Sequence, residues 1–185
     1  MKLSRKFYSK NTKTVAKGLL GKILVHRNCK GKIVETEAYF GDKDPASHAF
    51  CKITKRNIIM YQKPGTAYVY FTYGNHWMLN VVTEKTGIPG AVLIRAVEPL
   101  EGIGLMKRRR EIKDIENLTN GPGKLTKAFG INKKQNGLDL TKTSLFIEDS
   151  NEKFEIVNTT RIGLSRGMEK LLRFYIKDNE FVSRK

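Results

Sequence analysis

The sequence predicts an α+β fold: a single domain, residues 1–185, with a mainly antiparallel, barrel-like β-sheet and inserted helices. Three observations carry that expectation. Short runs rich in β-branched and aromatic residues recur along the chain, bounded by Gly, Pro, Asn and Asp. Helical periodicity appears only at intervals between them. The 185 residues, 39% of them hydrophobic, contain no linker, internal repeat or low-complexity segment that would divide them.

In chain order, Asn11 or Thr12 can cap a helix whose apolar positions are Val15, Ala16, Leu19 and Leu20, with Gly21 as its stop. Residues 22–27 form a short strand, residues 28–31 a turn, and residues 32–39 the returning strand. Alternation with period two puts Val34, Thr36 and Ala38 on one face of that second strand, and Glu35, Glu37 and Tyr39 on the other. A carboxylate among cationic groups suits a general base for water. Two solvated carboxylates paired with lysines fit the same pattern, and periodicity does not choose between Glu35 and Glu37. Glu37, Asp42, Asp44 and His48 are also candidate ligands for a divalent ion, although their spacing matches no compact metal motif. Thr54-Lys55-Arg56-Asn57 is a polar, basic loop and a candidate phosphate contact. Ile58-Ile59-Met60-Tyr61 is an apolar anchor.

The run from Lys63 to Asn80 is the most unusual in the chain. Pro64-Gly65 reads as a turn, the β-branched and aromatic residues after it as a strand, and Tyr73-Gly74-Asn75-His76 as a tight reversal. Residues 76–83 return. Tyr73 then sits at a protruding hairpin tip, where an aromatic ring can stack on nucleic acid bases. Half-buried strand tyrosines are the plainer account. Residues 91–97 form the most hydrophobic strand, which implies a central place in the sheet. Arg95 on that strand needs an anion, either phosphate or one of the carboxylates. Residues 99–117 read as a helix, and Gly121-Pro122-Gly123-Lys124 as a turn opening another, whose free N–H groups could meet phosphate. Residues 144–148, 154–162 and 171–176 are the remaining strands.

Charge narrows the class. There are 35 Lys and Arg against 18 Asp and Glu, a net +17, and residues 1–34 carry ten basic residues and no acid. A second basic run, Lys107-Arg108-Arg109-Arg110, lies further on. Such an excess suits a polyanionic partner; a generally lysine-rich proteome or an N-terminal transit peptide would also produce it. No apolar run reaches the roughly 18 residues of a membrane span, and no signal-peptide core is present. Cys29 and Cys51 form neither a metal spacing nor a disulfide framework, consistent with a reducing compartment.

At Glu35-Thr36-Glu37-Ala38-Tyr39, Lys63-Pro64-Gly65-Thr66, Tyr68-Val69-Tyr70 and Tyr73-Gly74, the chain resembles the alkyladenine (3-methyladenine) DNA glycosylase family. Arg95-Ala96-Val97-Glu98-Pro99, Gly121-Pro122-Gly123-Lys124-Leu125 and Leu172-Arg173-Phe174-Tyr175 continue the match in order. The resemblance implies a monofunctional glycosylase that flips alkylated or deaminated purines out of duplex DNA. It would hydrolyse the N-glycosidic bond with a Glu-activated water, initiating base excision repair. Glu37 aligns with the general base; Tyr39, His48 and Tyr70 with the walls around the flipped base. Tyr73 aligns with the DNA-intercalating residue, and Asn80 with a gate that crowds the guanine amino group. Arg95 and the backbone at Ile162 align with the groups that hold the attacking water. Two departures stand out: a shorter loop from His48 to Thr54, and Leu171 where proline is expected.

The same resemblance implies no metal and no organic cofactor, double-stranded DNA containing damaged purines as the partner, a monomer, no membrane, and a place in the cytoplasm or a nucleus. The rival readings are a non-catalytic basic nucleic-acid-binding module, a metal-dependent nuclease, and a bifunctional glycosylase-lyase that uses a lysine amine.

Overall fold

The computed structural model describes residues 1–184. It opens on one helical turn, α1 (Arg5–Tyr8), whose four residues are too few to show a period. The Asn11 side chain then accepts from the Lys13 N–H at 3.1 Å and starts α2 (Thr12–Leu19). Val15, Ala16 and Leu19 give α2 its buried face, and Gly21, at φ +77°, ends it. β1 (Ile23–His26) and β2 (Cys29–Phe40) follow. The turn between them is at Arg27-Asn28, earlier than expected, because Cys29 already pairs with His26.

A long loop containing one 3-10 turn (Ile58–Tyr61) leads to β3 (Ala67–Thr72) and β4 (His76–Val82), which pair antiparallel from Ala67↔Val81 to Thr72↔His76. Tyr73 and Gly74 both have positive φ, +53° and +72°, and Asn75 N–H donates to Thr72 O across them at 3.3 Å. That is the backbone of a mirror-image turn, whose twist matches the strands it joins. β5 (Gly90–Glu101) lies between β4 and β2. After α3 (Ile103–Arg110) and α4 (Pro122–Phe129) come β6 (Leu145–Glu148), β7 (Ile156–Thr159) and β8 (Arg173–Ile176). The result is a curled antiparallel half-barrel of eight strands in the order β3-β4-β5-β2-β1-β6, with β8 pairing β2 and β7.

The helix expected over residues 99–117 is much shorter. β5 runs on through Pro99 to Glu101, Gly102 at φ +79° turns the chain into α3, and Glu111 at φ +59° ends it. Proline is tolerated in the strand because β4 pairs with β5 only at Ala91, Val92 and Leu93, leaving that edge of β5 without a strand partner near Pro99. The late strands are also shorter than expected at one or both ends. α4 matches its signals: Pro122 sits in the first turn, Gly130 at φ +68° caps the end, and Leu125, Ala128 and Phe129 are buried. Gly123 lets this helix approach β4, since a Cβ there would lie 2.7 Å from the His76 ring.

Two faces of one sheet do different work. Val34 and Ala38 on β2, Ala67 and Val69 on β3, Leu79 and Val81 on β4, and Val92, Ile94 and Ala96 on β5 form the main core with α2 and α4. Thr36 on that face donates to Ala16 O of α2 at 2.9 Å. A register shift between Ile33 and Glu35 adds Ile33 to the same core. The alternate positions point the other way: Glu35, Glu37 and Tyr39; Tyr68 and Tyr70; Met78 and Asn80; Leu93 and Arg95. A small second cluster of Ala49, Met60, Tyr68, Val82 and Ala91 packs there under the long loop. Among the described residues no helix is long and apolar enough to cross a membrane.

Candidate active site

The second face of the sheet opens into a cavity of about 320 Å³. Tyr39, Tyr68, Tyr70, Asn80, Leu93 and Arg95 from four strands line it, with His48 from the long loop and Ile162 and Gly163 from the segment after β7. Tyr73 borders it from the hairpin turn and is 77% exposed. A Cβ at Gly163 would lie 3.9 Å from the Tyr73 hydroxyl, so tip and segment face each other beside the cavity.

Glu37 is fully buried. Its Oε1 accepts from the Ile162 N–H at 2.8 Å and lies 3.2 Å from Arg95 Nη1, while the Tyr39 hydroxyl donates to Oε2 at 2.7 Å. Solvated strand carboxylates are therefore not what the structure contains. Burial alone would lower the pKa of Arg95, but Glu37 and then Glu35 outweigh it and hold it above the ordinary value. Burial, the Glu37 charge and the hydrogen bond to Glu37 all push the Tyr39 phenol upward, so it remains a donor.

His48 Nδ1 is 2.9 Å from the Tyr68 hydroxyl, and its ring meets Tyr70 edge-on with centroids 4.5 Å apart. His48 as a residue is exposed, yet desolvation of its ring against the two tyrosines, and then the nearby Arg56 cation, lower its pKa to about 4, which leaves the imidazole neutral at neutral pH. Burial likewise pushes the Tyr68 phenol up to about 12. Asn80 is fixed by its amide N–H groups, which reach Tyr68 O at 3.1 Å and Met78 O at 3.5 Å.

Seven of the eight residues singled out for the site line one cavity, Tyr39, His48, Tyr70, Tyr73, Asn80, Arg95 and Ile162, and the eighth, Glu37, lies behind it, bonded to Tyr39, Arg95 and Ile162. The four residues grouped as metal ligands do not assemble. Asp44 is buried in a bidentate pair with Arg161 at 2.6 and 2.8 Å, and among the described residues no three His, Cys, Asp or Glu come together to hold an ion. Asp42 is exposed and lines a separate cleft.

Three supporting contacts escaped the sequence reading. The Arg161 guanidinium stacks 4.6 Å from the Tyr39 ring centre and donates to Ala38 O at 2.9 Å. Arg56 lies 4.7 Å over Tyr70 and reaches Phe71 O at 3.4 Å. Glu35 is as buried as Glu37; Arg95 was expected to take a carboxylate and does, but the hold of Arg173 and Ser183 on Glu35 was not foreseen. The basic composition near Arg56 hinted at cations there, but nothing local marks Asp44 with Arg161 as partners.

The buried Glu37 carboxylate thus lies behind an aromatic cavity, bonded to three of its lining residues, with the exposed Tyr73 at the cavity edge. The profile of the family described as "Methylpurine-DNA glycosylase (MPG)" matches residues 6–180. A protein of Prosthecochloris aestuarii is 52% identical over 187 residues, covering 97% of this chain and 90% of its own. One of Alkaliphilus oremlandii is 50% identical with all of both chains covered, and one of Clostridium novyi is 48% identical over 100% and 99%. All three are named "Putative 3-methyladenine DNA glycosylase". On this match over nearly its whole length, the chain belongs to the methylpurine-DNA glycosylase family, the DNA glycosylases that hydrolyse N-glycosyl bonds to damaged bases.

Proposed function

We propose that this protein acts as a monomer on duplex DNA and flips an alkylated or deaminated purine, 3-methyladenine among them, into the aromatic cavity. Glu37 then activates the water that displaces the base. The observation that carries this reading is the placing of Glu37. Its carboxylate is fixed by three donors, Tyr39, Arg95 and the Ile162 N–H, all from residues that line the aromatic cavity, so it sits immediately behind the cavity wall.

In this reading the flipped base lies among Tyr39, His48 and Tyr70. Tyr73 enters the duplex to fill the gap, offsetting part of the few kcal/mol that unstacking and unpairing cost. Asn80 stands where the 2-amino group of an unmodified guanine would press. Water is held next to Oε1 of Glu37, the oxygen flanked by Arg95 and the Ile162 backbone. It attacks C1′ as the glycosidic bond breaks, Glu37 takes its proton, and the carboxylate stabilises the oxocarbenium-like sugar. An N-alkylated purine already carries positive charge, so it leaves without a strong acid.

Replacing Glu37 by Gln should lower release of methylated purine from alkylated duplex DNA by about 10²–10⁴-fold, with affinity for the same duplex within about twofold of wild type. Normal release would remove Glu37 from the role of base. The wedge has its own check. Tyr73→Ala should weaken binding to a lesion duplex by about 1–3 kcal/mol and slow excision, and unchanged affinity and rate would exclude it.

A further inference from the structure

The site holds a second carboxylate that this reaction does not use. Glu35 is fully buried on the same face of β2 as Glu37. Its Oε1 accepts from Arg95 Nε at 3.0 Å, Arg173 Nη1 at 2.9 Å and Ser183 Oγ at 2.9 Å. Its Oε2 accepts from the Ser183 N–H at 2.7 Å. Arg95 is thereby fixed from both sides: Nε sits on Glu35, Nη1 lies 3.2 Å from Glu37, and Nη2 lies 3.4 Å from Ser183 Oγ.

The chain around residue 183 is held as a strap. Val182 is buried, the Phe181 N–H is fixed by Asn179 at 2.9 Å, and Arg184 O accepts from Arg173 Nη1 at 2.7 Å. Arg173 in turn donates to Thr160 O at 2.9 Å, near the segment that presents the Ile162 N–H. Residues 183 and 184 lie beyond the 6–180 segment matched by the family profile, yet they touch two arginines of the site.

We infer that Glu35 and the strap of residues 181–184 form a positioning unit that sets the Arg95 guanidinium against Glu37, an inference that rests on Glu37 being the base. The four charged groups Glu35, Glu37, Arg95 and Arg173 balance. Removing the negative charge of Glu35 takes away the acceptor shared by Arg95 and Arg173 and loosens the Arg95 guanidinium that faces Glu37. The other groups facing Glu37 stay in place: Tyr39 on its own strand, Tyr70 on β3, and the Ile162 N–H and Arg161, the latter paired with Asp44.

The test is single-turnover release of methylated purine from alkylated duplex DNA, measured against enzyme concentration at a temperature where each variant is folded by its melting curve. Glu35→Gln should lower the maximal rate about 10–100-fold, the range typical of the outer partners that orient metal ligands, with the half-saturating enzyme concentration within about twofold. A loss of melting temperature with the maximal rate unmoved would overturn the inference.

Ser183→Ala and Ser183→Thr keep the buried charge and so guard against a Glu35 variant that does not fold. Alanine should slow the maximal rate about 3–10-fold, the weight of one ordinary lost hydrogen bond, and threonine should restore it. Equal rates for Ala and wild type would remove the strap from the unit. Glu37→Gln is run beside them. If it retains activity, the reading of Glu37 fails, whereas an inactive Glu37→Gln beside an unaffected Glu35→Gln overturns only the present inference.

Discussion

His48 shows how its immediate neighbours set the charge of one side chain. The Tyr68 hydroxyl at Nδ1, the Tyr70 edge and the Arg56 cation all act on the imidazole, and burial first, Arg56 second, bring its pKa down to about 4. A cationic alkylated purine would then meet an uncharged imidazole at this position rather than a like charge. The same shift affects stability. An unfolded His protonates near pH 6.5, while the folded one stays neutral until about pH 4. Between those values the unfolded chain binds more protons, so His48 lowers stability as pH falls through that window. Above it the contribution is fully present, and below about pH 4 the loss is complete. The advantage in melting temperature of wild type over His48→Gln should therefore shrink from pH 6.5 to about pH 4 and then level off. A difference that stays constant across that range would mean that His48 titrates as a solvated histidine.

At the scale of elements, whatever repeats locally was legible. Alternation on β2 separated Thr36 and Ala38 from Glu37 and Tyr39, and the same alternation on β3, β4 and β5 puts Tyr70, Asn80 and Arg95 on the cavity face. Gly74 with Tyr73 announced the turn, and Gly121-Pro122 with Gly130 announced α4. The helix expected over residues 99–117 failed because Leu100, Ile103 and Met106 mimic a helical spacing across a strand end, a left-handed Gly102 and a short helix. The choice between Glu35 and Glu37 was not legible from periodicity, because what separates them arrives from far along the chain. Ser183 is 148 residues from Glu35, and the Ile162 N–H is 125 residues from Glu37. Burial of both carboxylates depends on β8, the strap and the segment after β7 closing over them, which no local pattern states. The Asp44–Arg161 pair, 117 residues apart, was missed for the same reason. A buried pair of this kind marks where two segments must meet, here the loop carrying His48 and the segment carrying Ile162.

Across the whole molecule the net +17 has a direction. Glu35, Glu37 and Asp44 are all buried in ion pairs, so these acids contribute little to the outer surface. On the α4 side of the hairpin a second cleft is lined by His76, Trp77, Arg110, Thr126, Lys127 and Asn132. Pro122 lines the aromatic cavity while Gly123 packs on His76, so the first turn of α4 divides the two spaces. Lys124 is bound there only by neutral groups, Asn120 Oδ1 at 2.7 Å and Asn117 Oδ1 at 3.3 Å, and Lys127 approaches Glu111 no closer than 3.9 Å. A duplex engaged at Tyr73 whose backbone ran along α4 would meet both cations. Each phosphate contact contributes about 0.9 to the slope of log K against log salt concentration. The double variant Lys124→Ala with Lys127→Ala should therefore flatten that slope by about 1.8 for duplex DNA and weaken binding with or without a lesion. The maximal single-turnover rate should not change, since neither lysine touches the cavity. A slope equal to that of wild type would move the DNA path off the α4 side.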